Sequence, residues 1–112
     1  MRNNKKSAYE CSVGIMKIAD EYGFDAQTDI AIEEMSEFMK AILKFRRAGH
    51  TTLGQDFQKL AGDVLEEIAD VQIMLWQLVY LFNKAGYNAA GKIDDLIDKK
   101  INRQLERIRK EG

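Results

Sequence analysis

The sequence predicts an all-α chain, a four-helix bundle-like protomer completed by dimerisation, on three observations. Its 112 residues contain no proline, the residue that most readily breaks a helix. Its aliphatic residues recur three and four apart, the period of one helix face. Glycine-bearing stretches at Gly23, 48–54 and 86–91 cut that pattern into four lengths.

Ser7-Ala8-Tyr9-Glu10 has the form of a capping box and starts a first helix at about Ala8. Val13, Ile15, Met16 and Ile18 follow, and Gly23 ends the helix after Tyr22. Asp25 or Thr28 can cap a second helix reaching about Arg47, with Ile32, Met35, Phe38, Met39, Ile42 and Phe45 at helical spacing. Residues 48–54, with two glycines, His50, Thr51 and Thr52, read as a loop. A third helix runs from near Asp56 to about Ala85, stopped by Gly86. After Val64 its apolar residues crowd every side, which marks it as the central helix. A loop at 87–91 leads to a last helix over roughly Ile93 to Arg109.

Residues 1–112 make one domain, enough for one core. Four helices on short loops pack most simply as an antiparallel bundle. The third helix is too apolar all round for so small a bundle to cover, so the expectation is a homodimer or a dimer of dimers.

A formal net charge of −1 argues against bulk attraction to nucleic acid or to an anionic membrane. The longest nearly uncharged run, Val71 to Phe82, is too short to span a bilayer. The basic N-terminus is followed by no apolar signal core. The single cysteine, Cys11, fits a reducing compartment, so a cytoplasmic location is expected.

Two acid pairs carry the functional signal. Glu34 with Glu37, and Glu67 with Asp70, are spaced i, i+3, so each pair projects from one helix face. Both sit among core-forming residues, where a carboxylate is costly unless paired or bound to a metal. One loop joins their helices, so antiparallel packing sets Glu34 and Glu37 across a groove from Glu67 and Asp70. Four oxygen donors without cysteine, and with the only histidine in a loop, suit Mg2+ or Mn2+ rather than zinc. A di-iron carboxylate bundle would need Glu-x-x-His on two helices, which is absent.

The segments Glu33-Glu34-Met35-Ser36-Glu37 and Glu67-Ile68-Ala69-Asp70 resemble the EExxE…ExxD pattern of the MazG-like all-α NTP pyrophosphohydrolases. Dimeric dUTPases and phosphoribosyl-ATP pyrophosphohydrolase are relatives in that superfamily. The likeness extends from about Thr28 to Phe82. It implies Mg2+-dependent hydrolysis of a nucleoside triphosphate to monophosphate and pyrophosphate, with Glu34, Glu37, Glu67 and Asp70 as metal ligands and catalytic groups. Glu33 and Glu66 match the acids that precede the motif ligands; turning by about 100° per residue sets them beside the ligand stripe.

Charge is unevenly distributed. From Asp29 to Asp70 nine acids face five bases, a balance of −4; from Lys99 to Gly112 six bases face two acids, a balance of +4. The basic end either complements the dipole of the last helix or faces an anion held at the acidic centre. The resemblance favours the second role for Lys99, Asn102 and Arg103, within one helical turn. An Arg-Tyr-Pro ending found in many relatives is here Leu105-Glu106-Arg107-Ile108.

The base of the nucleotide is not readable. Trp76, Phe38, Tyr9 and Tyr22 are aromatics that stack on bases in principle, but helical spacing favours core, for Trp76 above all. Two rivals stand: a non-catalytic helical interaction module, in which Lys40, Lys44 or Lys59 pairs with the acids across helices, and a degenerate relative that binds nucleotide without cleaving it.

Overall fold

The computed structural model describes residues 5–49 and 55–112, the side chains at 9, 49, 55 and 56 excepted. His50, Thr51 and Thr52 lie outside the described residues, as does the Tyr9 side chain. Among the described residues all regular structure is helical: α1 (Ala8–Gly49), α2 (Gln55–Lys84) and α3 (Ala89–Glu111).

The capping box forms at the start of α1. The Ser7 amide donates to Glu10 Oε1 at 3.0 Å and the Glu10 amide to Ser7 Oγ at 3.1 Å. The expected stop at Gly23 is a break inside α1, with φ 83° and ψ 175°, a region essentially reserved for glycine. It divides α1 into arms 8–22 and 24–49.

The second arm runs antiparallel to α2. Phe24 packs edge-on against Phe82, Gln27 bonds Gln77, and Phe45 packs against Phe57, so rising numbers on one helix meet falling numbers on the other. The first arm runs parallel to α2. A groove sets residues 10–18 against 69–76, and Asp20 reaches Tyr80 and Lys84. The chain therefore reverses at Gly23, and α2 is packed by both arms.

A Schellman turn ends α2: the Tyr87 amide bonds the Phe82 carbonyl at 3.1 Å and the Gly86 amide the Asn83 carbonyl at 2.9 Å. Gly86 carries the left-handed φ of 94° that this turn requires. Asn83 Oδ1 accepts the Ala90 amide at 3.2 Å, capping the first turn of α3 from outside. From there α3 departs. It packs on α2 and makes no contact with α1, and its only buried residue is Ala89.

The hydrophobic core is thin. Ala19, Ala31, Val71, Met74 and Ala89 are its buried apolar residues, while Ile32, Leu65, Trp76 and Ile108 are each more than half exposed. Trp76, expected in the core, is 53% exposed. The chain exposes 9261 Å², against roughly 6,300 Å² for a compact protein of its 12.8 kDa. Its radius of gyration is 17.8 Å, where a compact domain of this length has about 13 Å. No helix of the described residues is long and apolar enough to cross a membrane.

Candidate metal centre

The seam between the second arm of α1 and α2 is built from residues three and four apart. On α1 the line is Gln27, Ala31, Glu34, Phe38, Ala41 and Phe45; on α2 it includes Glu67, Val71, Met74 and Gln77. Ala31, Val71 and Met74 fill it, and Gln27 and Gln77 are closed off at 1% and 2% exposure. Glu34 and Glu67 occupy core-facing positions on the same two lines, so packing pushes them together.

Glu34, Glu67 and Asp70 each offer a carboxylate oxygen within 4.8 Å of the other two. Glu34 and Glu67 are half-buried and Asp70 is exposed, so the cluster opens to solvent on one side. Glu67 Oε2 is buried with no hydrogen-bond partner. A buried acceptor left unbonded is costly, a cost that an oxygen-seeking cation would relieve.

The electrostatics agree. Burial raises the pKa of Glu34, and Asp70, Glu67 and Glu33 add to the effect, as does a hydrogen bond with Asp70. Burial likewise raises Glu67, reinforced by Asp70, Glu37, Glu66 and Asp63. Every neighbouring charge that moves these two groups is negative. Of the three lysines invoked by the salt-bridge rival, Lys40 and Lys59 pair within their own helices, with Glu37 at 3.5 Å and with Asp63 at 3.2 Å. Glu34, Glu67 and Asp70 enter no ion pair among the described residues.

Glu37, the fourth expected ligand, sits at the rim. Three residues along a helix turn the side chain about 60° away from Glu34; Glu37 is exposed and held by Lys40, yet close enough to raise Glu67. Glu33 and Glu66 are exposed beside the stripe. Lys99, Asn102 and Arg103 lie on α3, all exposed, on a helix that does not touch α1. The chain thus brings three of the four acids together and leaves the basic group apart from them.

Of the aromatics, Tyr22 is 61% exposed and Phe38 half-buried. Trp76 lines a groove of about 460 Å³ with Ile15, Ile18, Gln72 and Ile73. The paired Gln27 and Gln77 were not singled out in the sequence, although each stands seven residues from a cluster acid, Gln27 from Glu34 and Gln77 from Asp70. Polar side chains repeating at that spacing on a core line were the available signal.

Comparison of the chain with protein-family models, with curated proteins and with solved structures gave no match.

Proposed function

We propose that this chain is a Mg2+-dependent nucleoside triphosphate pyrophosphohydrolase of the MazG-like type, releasing nucleoside monophosphate and pyrophosphate. The observation that carries the reading is the carboxylate cluster of Glu34, Glu67 and Asp70 with its orphaned Glu67 Oε2. The donor set fits a hard divalent cation, Mg2+ or Mn2+. The substrate class comes from the EExxE…ExxD resemblance.

Glu34, Glu67 and Asp70 would hold the cation, and Glu37, now paired with Lys40 at the rim, would complete the set. When bound, the cation supplies charge neutralisation at the phosphates and acidification of water. The carboxylates would fix its position, and one of them would take the proton of the water that attacks phosphorus. Lys99, Asn102 and Arg103 grip the triphosphate. The working form is a homodimer or a dimer of dimers in which a four-helix bundle closes across the interface, supported by the excess exposed area.

A panel of NTPs and dNTPs with Mg2+, read by pyrophosphate release, tests the assignment. The parent chain is expected to turn over at least one of them, and Glu37→Gln and Asp70→Asn to lose more than about 100-fold, beyond what outer partners of a metal site cost. No pyrophosphate from any nucleotide, or variants as active as the parent, would overturn it.

A further inference from the structure

Helix α3 is amphipathic, and beyond its start on α2 its apolar side is uncovered among the described residues. Ile93, Leu96, Ile97, Ile101, Leu105 and Ile108 recur at helical spacing, and all are between 37% and 64% exposed. The helix is 23 residues long, about 35 Å at 1.5 Å per residue. An isolated helix of this kind is only marginally stable in water, and most helical stability comes from packing its apolar face.

A matching bare stripe lies on α1. Ile32, Met35, Met39 and Leu43 are exposed on the side of the second arm away from the α2 seam. The small side chains of Ala31 and Ser36 leave a shallow apolar groove of about 410 Å³ there. Within one protomer α3 does not reach it, because α3 and α1 make no contact.

The exposed area matches what a second copy would cover. The protomer exposes about 3,000 Å² more than a compact chain of its mass, and obligate homodimer interfaces bury 2,000 Å² or more in total. Charge points the same way, since residues 99–112 carry +4 and residues 29–70 carry −4. Two copies related by a twofold axis meet each surface with its complement twice, which closes the assembly.

We propose that α3 docks on a second copy of this chain, laying Ile97, Ile101 and Leu105 on the bare Ile32–Met35–Met39–Leu43 stripe of that copy's α1. The pairing rests on the self-association proposed above and names the surfaces that make it. It is an exchange of the last helix about the Gly86–Asn88 turn, where Gly86 and Asn88 both carry positive φ.

The test uses two full-length chains, both Cys11→Ser, one carrying Met39→Cys and the other Ile101→Cys and a mass tag. They are mixed at micromolar concentration and mildly oxidised. The expected result is a mixed 39–101 disulfide as the main product, and sedimentation of the parent at twice the protomer mass. In the parent background, Ile97→Glu with Ile101→Glu should halve that mass while helical circular dichroism falls by no more than the share of the 23-residue α3, because both side chains are exposed in the single chain. A parent that sediments as a monomer overturns self-association and this pairing together. A dimer that yields only 101–101 disulfides overturns the pairing alone. Neither readout involves Mg2+ or nucleotide, so the metal reading is tested separately.

Discussion

Gln27 Nε2 donates to Gln77 Oε1 at 2.8 Å inside the same helical seam that carries Glu34, seven residues later on α1, and is bordered by Asp70, seven residues earlier on α2. Two polar pairs are therefore stacked on one interhelical line, one satisfied and closed to water, the other acidic and open at one side. The amide pair fixes the register that brings the carboxylates together: a slip of one residue would turn each acid by about 100°.

Removing one partner of the amide pair leaves the other buried without a bond. Gln27→Ala is expected to cost about 1–3 kcal/mol through that orphaned amide. The double variant Gln27→Leu with Gln77→Leu should recover much of the loss. Urea unfolding of Gln27→Leu, Gln77→Leu and the double variant gives the coupling; additive losses would show the two amides to be independent.

Gly23 is required by its backbone. At φ 83° and ψ 175° a side chain is strained by about 1–3 kcal/mol, and no neighbouring atom lies within 4 Å of an added Cβ. Gly23→Ala should therefore lower stability through conformation alone. An unchanged urea midpoint would mean that the reversal between the arms does not need this geometry.

The first arm is clamped by charge. Tyr80 Oη donates to both Asp20 oxygens at 3.0 and 2.8 Å, and Lys84 Nζ to Asp20 Oδ1 at 2.8 Å. The Lys84 hydrogen bond, then that of Tyr80, holds Asp20 below the ordinary carboxylate range. A lowered acid stabilises the fold above its unfolded pKa, and that contribution is lost as pH falls through the lowered folded value. Lys84 is raised by Asp20, so its share is present below the ordinary lysine value and lost as pH rises past the folded one. Asp20→Asn should be less stable than the parent at neutral pH, with the gap closing as the medium becomes acidic. A gap that does not change with pH would contradict the clamp.

Much of this architecture was legible. The capping box at Ser7 and Glu10, the breaks at Gly23 and Gly86, and an α2 too apolar to be covered all follow from local chemistry and helical period. The facing of Glu34 with Glu67 and Asp70 followed from one short loop and antiparallel packing. What was not legible depends on which way segments turn. The rim position of Glu37 is set by the α1 line through Gln27 and Ala31, and its ion pair by Lys40. The departure of α3 is set by the Schellman turn and the Asn83 cap, which aim the helix without regard to its apolar stripe. Trp76 looks like core because its neighbours are apolar, yet Ile73 and Leu75 beside it are themselves nearly half uncovered.

Withdrawing divalent cations should expose the repulsion within the cluster. Glu34 and Glu67 have raised pKa values, from burial first and from neighbouring acids second. A raised acid stabilises the fold below its unfolded pKa and loses that contribution as pH rises through the folded value. With a chelator present, Glu34→Gln with Glu67→Gln should gain stability relative to the parent as pH rises towards neutrality. Added Mg2+ should raise the melting temperature of the parent and leave that variant unmoved. Equal Mg2+ shifts in the two would count against these ligands.

Binding of Mn2+, followed by the electron paramagnetic resonance signal of the free ion, tests the central claim most directly, because it reads the carboxylate site without a substrate. The parent chain is expected to quench the signal stoichiometrically and to release the ion to excess Mg2+. Glu67→Gln and Asp70→Asn, with helical content intact, should leave the Mn2+ free. A parent that leaves the signal unquenched, or variants that quench it as fully as the parent, would contradict a cation site at Glu34, Glu67 and Asp70.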